Sequence, residues 1–101
     1  MPLGDSITYG ANNDGIGGGY RYPLYVALTN AGYNVDYIGT QTTIPHVGLG
    51  AGLNHEGHSG WRIDQIDSGI LGFIEATEDA DFILLHISTN DYGQSYNTPN
   101  A

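Results

Sequence analysis

The sequence predicts an α/β protein in which a parallel sheet is layered with helices, as the first part of a three-layer α/β/α domain. Three observations predict it. Strand-like and helix-like segments alternate along the 101 residues, with links short enough for right-handed crossovers. The continuous apolar run Phe82-Ile83-Leu84-Leu85 reads as a strand covered on both faces. The segment Gly4-Asp5-Ser6-Ile7-Thr8-Tyr9-Gly10 sets a serine on a tight, Gly-flanked turn after an apolar start, at the strand end where open α/β sheets hold their ligands.

Met1 to Gly4 reads as the last residues of a strand whose beginning is missing, since three residues are too few to cross a sheet. A Gly-rich loop follows over Asn12 to Gly19. From Tyr20 to Ala31, Tyr22, Tyr25, Val26, Leu28 and Thr29 recur at helical spacing. Pro23 fits only the first turn of that helix, and Gly32 is its stop. Tyr33 to Ile38 alternates with period two and ends at Gly39, the pattern of a short strand. Thr40 to Ser59 carries Gly48, Gly50, Gly52 and Gly57 with little periodicity, and a loop of this length is expected to flank a functional site. Beyond Arg62, the residues Ile63, Ile66, Ile70, Phe73 and Ile74 share one helical face, and Asp64 and Asp67 lie in the half where the helix dipole favours anions. Asp81 to Ser88 is the last strand, with His86 expected inside it as a buried, hydrogen-bonded histidine. The segment after Asp91 reads as loop.

Composition narrows the function. The chain has no lysine, only Arg21 and Arg62 against eleven carboxylates, and a formal charge of −9, so phosphate backbones are repelled and nucleic acid is not an expected partner. With no cysteine there is no disulfide, no thiolate nucleophile and no thiolate metal site, and either redox compartment is compatible. No run reaches the roughly 18–20 apolar residues of a membrane span, and no charged-then-apolar signal segment is present.

Three short clusters have the residue types that acyl transfer uses. Ser6 has the position of a nucleophile, and its own amide could donate to an oxyanion, although Asp5 and Ser6 could equally serve as local caps of an ordinary turn. Asn90, next to Asp91 at the end of the last strand, offers a neutral amide donor. Gly57-His58-Ser59-Gly60-Trp61 supplies a glycine that admits close approach by substrate. Taken in order, these clusters resemble blocks one, two and three of the SGNH (GDSL-type) hydrolases. Met-Pro-Leu-Gly-Asp-Ser-Ile-Thr, Gly-Gly-Tyr-Arg, Ala-Gly-Tyr-Asn-Val-Asp-Tyr-Ile-Gly and His-Glu-Gly-His-Ser-Gly-Trp are most similar to the acetylxylan esterases of carbohydrate esterase family 3.

That resemblance implies a flavodoxin-like SGNH fold, a serine esterase acting on small acyl groups such as acetyl on xylan or another carbohydrate, no cofactor and no metal, and an extracellular location. It implies Ser6 as nucleophile and oxyanion donor, Gly60 and Asn90 as further oxyanion donors, and Asp5 and Asp91 in support. Trp61 and His58 are candidates for substrate contact. Residues 1–101 are then expected to be the N-terminal portion of the domain. Its first strand would be cut short, and the block Asp-x-x-His, which supplies the base and its orienting acid, has no counterpart in this sequence. The fragment alone is expected to be inactive. Block three departs from its usual Gly-x-Asn-Asp, with Ser88 at the glycine position.

Other readings stay open. His46, His55, Glu56 and His58 gather in one loop, but their spacing matches no regular zinc arrangement. Trp61 and the eight tyrosines could stack on sugar faces or simply pack. The hydroxyls after the first strand could cradle a phosphate, as in flavodoxin-like FMN binders. The chain could also be a carbohydrate-binding fragment without turnover.

Overall fold

The computed structural model of this chain describes residues 1–10, 18–42, 54–77 and 79–94. Its elements are β1 (Pro2–Gly4), α1 (Ser6–Tyr9), α2 (Arg21–Asn30), β2 (Glu56–Gly57), α3 (Ile63–Ala76), β3 (Leu84–His86) and α4 (Thr89–Gly93). The strands form a three-stranded sheet in the order β2-β1-β3. Both pairings are parallel, with Leu3 opposite Glu56 and Leu85, and Gly4 opposite Gly57 and His86. The parallel α/β class read from the sequence is therefore the one observed.

Both long helices fall where the apolar spacing puts them. In α2, Pro23 is the third helical residue, where its missing N–H costs no intrahelical bond, and Gly32 closes the helix with its N–H on the Thr29 carbonyl while Tyr33 N–H reaches Leu28. In α3 the start is built by a capping box: Gln65 accepts the Arg62 N–H at 2.8 Å. Ile66 is the buried residue of its apolar face, Ile70 and Phe73 are half-buried, and Ile63 and Ile74 are exposed.

Three expectations about strands are corrected, and the segment after Asp91, read as loop, is helical as far as Gly93 in α4. Residues 33–39 join no ladder among the described residues; instead Tyr37 turns inward, donating its hydroxyl to the Arg21 carbonyl at 2.9 Å, and its own carbonyl accepts Asn54 N–H. The strand beside β1 is Glu56–Gly57, inside the stretch read as loop, because two paired residues are too short to show alternation. The last strand is not covered on both faces: Leu84 and Leu85 are 41% and 59% exposed, and His86 is exposed rather than buried. A parallel strand is hidden only when it has neighbours on both edges and helices on both faces, and among the described residues β3 has β1 alone.

Among the described residues the buried apolar side chains are few: Met1, Pro2, Leu3, Tyr37 and Ile66. Asp5, Thr8, Arg21, His55 and Glu56 are fully buried and polar, so much of the interior around β1 and β2 must be held by hydrogen bonds rather than by apolar contact.

Candidate active site

The register of the sheet brings three strand ends to one level. Because Gly4, Gly57 and His86 stand opposite one another across parallel strands, the chain leaves all three in the same direction. Asp5–Ser6 follows β1, His58–Trp61 follows β2 and Ser88–Asn90 follows β3. The middle strand can sit this close because residue 4 has no side chain: a Cβ there would lie 2.0 Å from the His86 carbonyl oxygen.

Ser6 opens the single turn of α1 and is exposed, with no protein partner for its hydroxyl among the described residues. Asp5 caps that turn, its Oδ1 accepting the Ile7 N–H at 3.0 Å, while Oδ2 is buried without a protein partner among the described residues. The other end of the turn is tied to Arg21, which lies buried and donates from Nε to the Thr8 carbonyl (3.0 Å) and from Nη2 to the Tyr9 carbonyl (3.2 Å). A cation on the last carbonyls of a helix complements its dipole. Thr8 is fully buried with its hydroxyl 3.0 Å from that of Tyr20, so it is not offered to a phosphate and the FMN-cradle reading loses one of its hydroxyls.

Gly60 sits in a turn. Trp61 N–H donates to the His58 carbonyl at 3.2 Å, and Gly60, third of the four residues, has φ +80°. A positive φ at that place is the type II arrangement, which selects glycine. Nothing lies within 4 Å of where a Gly60 Cβ would be, so the turn faces open space. The turn is bound to β1 as well, since His58 N–H donates to the Gly4 carbonyl at 2.9 Å.

Asn90 lies in α4, and one of its amide N–H groups donates to the Trp61 carbonyl at 2.8 Å. That bond fixes which way the amide faces and leaves its second N–H without a protein partner among the described residues. Asp91, 7% exposed, accepts the Ile63 N–H at 3.2 Å and so caps α3 from a neighbouring element. Gln94 donates to the Gly60 carbonyl at 3.1 Å and accepts from Arg62 Nη1 at 2.8 Å. Arg62 in turn makes a two-pronged pair with Asp64 at 2.9 and 3.1 Å, which holds the exposed Asp64 carboxyl below its ordinary range. The Gly60 turn and α4 are thus stitched together by several bonds spanning about thirty residues of sequence.

Among the described residues of this loop, His55, Glu56 and His58 are hydrogen-bonded within the protein. His55 is buried, its Nδ1 accepting the Gly57 N–H at 2.9 Å, with its ring edge-on to Tyr9. Glu56 is buried and accepts from Thr40 N–H and from His58 Nε2, the latter at 2.7 Å. Burial pushes the Glu56 carboxyl up, but the donors from His58 and Thr40 outweigh it and hold it below its ordinary value. His58 also stands with Nδ1 3.3 Å from Gln41 Nε2, and its ring packs on Trp61 and Phe73. Glu56 and Gln41 thus stand at the two His58 nitrogens, and the Trp61 ring lies against His58, centroids 4.0 Å apart. His46 lies outside the described residues, and among those described no group of three metal-ligating side chains forms.

The sequence singled out Ser6, Gly60, Asn90, Asp5 and Asp91, and the sheet brings their segments to one rim. Sequence reasoning missed Arg62, Gln65 and Gln94 as supports. Only Gln65 had a signal, the glutamine three residues past a helix start.

No family profile matches the chain. A multidomain esterase of Ruminococcus flavefaciens is 35% identical over 115 residues, covering 95% of this chain and 15% of the relative. Among solved structures, a family 3 carbohydrate esterase of Clostridium thermocellum is 40% identical with a TM-score of 0.84, and one of Talaromyces cellulolyticus is 29% identical with a TM-score of 0.73. They are matched over 96% and 99% of this chain, which spans 46% and 47% of theirs, about half their length. No described helix is long and apolar enough to cross a membrane.

Proposed function

We propose that this chain, matched in sequence and fold to about half of a family 3 carbohydrate esterase, is the nucleophile-bearing part of an SGNH-type serine esterase that removes small acyl groups, acetyl foremost, from carbohydrate. The observation that carries the reading is the alignment of three strand ends, which puts an exposed serine, a glycine turn open to solvent and an asparagine amide on one rim.

In this reading Ser6 Oγ attacks the ester carbonyl carbon and its proton passes to a base. The carbonyl electron pair moves onto oxygen, where the Ser6 N–H, the Gly60 N–H and the second Asn90 N–H receive it. Collapse of that intermediate, with the base returning its proton to the departing oxygen, expels the sugar hydroxyl and leaves an acyl-serine, which water cleaves to release the acid and restore Ser6. Such donors act because they are already oriented, and the bonds Asn90 to Trp61 and Gln94 to Gly60 orient them here. His58 is not the base, since Glu56 and Gln41 occupy both its nitrogens. Residues 1–101 are accordingly assigned as the N-terminal portion of the domain, and the base as coming from the Asp-x-x-His block that this sequence lacks. Acylated carbohydrate as substrate and secretion as destination follow from the same resemblance.

The test joins this chain to the complementary half of the Clostridium thermocellum esterase and assays an activated acetyl ester. Hydrolysis is expected from the chimera and not from the chain alone, with Ser6→Ala abolishing it and Asn90→Ala lowering turnover by roughly 10²–10³. A folded chimera whose hydrolysis survives Ser6→Ala would overturn the assignment.

A further inference from the structure

We propose that the buried Glu56 carboxylate is the positioning group of this site: it holds His58 in the Nε2–H tautomer and, through His58, fixes the turn that carries Gly60 against the strand that carries Ser6. The inference rests on the reading of Gly60 as an oxyanion donor and adds a residue that no catalytic step uses.

Glu56 is fully buried, and its two oxygens have different duties. Oε1 accepts the Thr40 backbone N–H, and Oε2 accepts from His58 Nε2 at 2.7 Å. A carboxylate only accepts, so Nε2 must carry the proton. On the other side of the ring Gln41 Nε2 stands 3.3 Å from Nδ1, the end of the amide that suits an accepting Nδ1. The buried carboxylate sets the tautomer, and Gln41, whose amide can turn over, follows it. Packing on Trp61 and Phe73 holds the ring against rotation.

The backbone of His58 is where this reaches the site. Its N–H is bonded to the Gly4 carbonyl, two residues before Ser6, and its carbonyl closes the turn through Trp61 N–H. A tilt of residue 58 therefore re-aims the Gly60 amide and loosens the β1 exit together. Gln94 grips the same turn from the far side, at the Gly60 carbonyl, so only the Glu56 side is buried.

Glu56→Gln gives a sharp test because the two donors that meet this side chain are unequal. Thr40 N–H is main chain and cannot reverse, so the single amide oxygen of the variant must face it. The amide NH₂ then meets His58, which can accept only by moving its proton from Nε2 to Nδ1, and Gln41 turns over to present its oxygen. Nitrogen-15 NMR of the His58 ring in the 101-residue chain reads this directly: Nε2–H in the wild type, Nδ1–H in Glu56→Gln. Amide exchange at Gly60 and Trp61 should quicken about 10- to 100-fold while the amides of α3 stay protected.

A wild-type His58 found in the Nδ1–H tautomer or doubly protonated at neutral pH would overturn the proposal, and this arm needs no variant to fold. An unswitched tautomer in folded Glu56→Gln, or a switched one with unchanged exchange at Gly60 and Trp61, would overturn it too. None of these measurements involves hydrolysis, so failure of the esterase reading would show itself separately, in the chimera.

Discussion

Replacing Ser88 by glycine should stabilise this protein, and the size of the gain can be worked from the backbone. Ser88 has φ +100° and ψ −11°, and is the one described residue other than glycine with positive φ. It caps α4 without a side-chain hydrogen bond, so its hydroxyl adds nothing that glycine would forfeit. Holding an L-residue in left-handed backbone costs about 1–2 kcal/mol. Glycine removes that cost but gives up about 0.5–1 kcal/mol through its greater freedom when unfolded. At the midpoints of these ranges the net is a gain of about 0.75 kcal/mol, or roughly 3–6 °C in Tm for a domain of this size. Urea denaturation should show a raised midpoint at unchanged slope. Ser88→Ala, which keeps the Cβ and loses only the hydroxyl, should stay close to the wild type. A glycine variant less stable than the wild type, or an alanine variant that gains as much as glycine, would refute the argument that strain at this Cβ is what matters.

Asp91→Ala should cost about 0.5–2 kcal/mol, since it strips the cap from the Ile63 N–H, and Asp91→Asn, which keeps an acceptor, should cost less; equal losses measured by urea denaturation would mean that the charge rather than the cap is what counts. Glu56 also sets an acid limb. A carboxyl held below its ordinary value contributes stability that is fully present above about pH 4.3 and is lost as pH falls through the lowered folded value. The unfolding midpoint should therefore hold steady from neutral pH to about pH 5 and decline below about pH 4.3, and Glu56→Gln should flatten that decline.

The sequence by itself determined the parallel α/β class, the two long helices, and the segments that meet at the rim, because these rest on local signals. The spacing of Ile63, Ile66, Ile70 and Phe73, the stop at Gly32 and the apolar approach to Ser6 are each legible within a few residues. Tertiary structure decided the rest. Glu56–Gly57 is a strand only because β1 lies beside it, and Tyr33 to Ile38, for all its alternation, is not one because none of the described residues pairs with it in a ladder. Leu84 and Leu85 have the apolar character of a covered strand, yet they stand exposed, since burial belongs to the neighbours and not to the residue. The bonds from Asp91 to Ile63 and from Gln94 to Gly60 join residues about thirty positions apart, and no spacing rule reaches that far. Even the strain at Ser88 was visible in sequence only as a departure from a motif; the left-handed backbone there is seen only in the structure, where Ser88 stands between β3 and α4. Local patterns record what a residue prefers, whereas the site depends on which groups the packed sheet sets face to face, and that is a property of the whole chain.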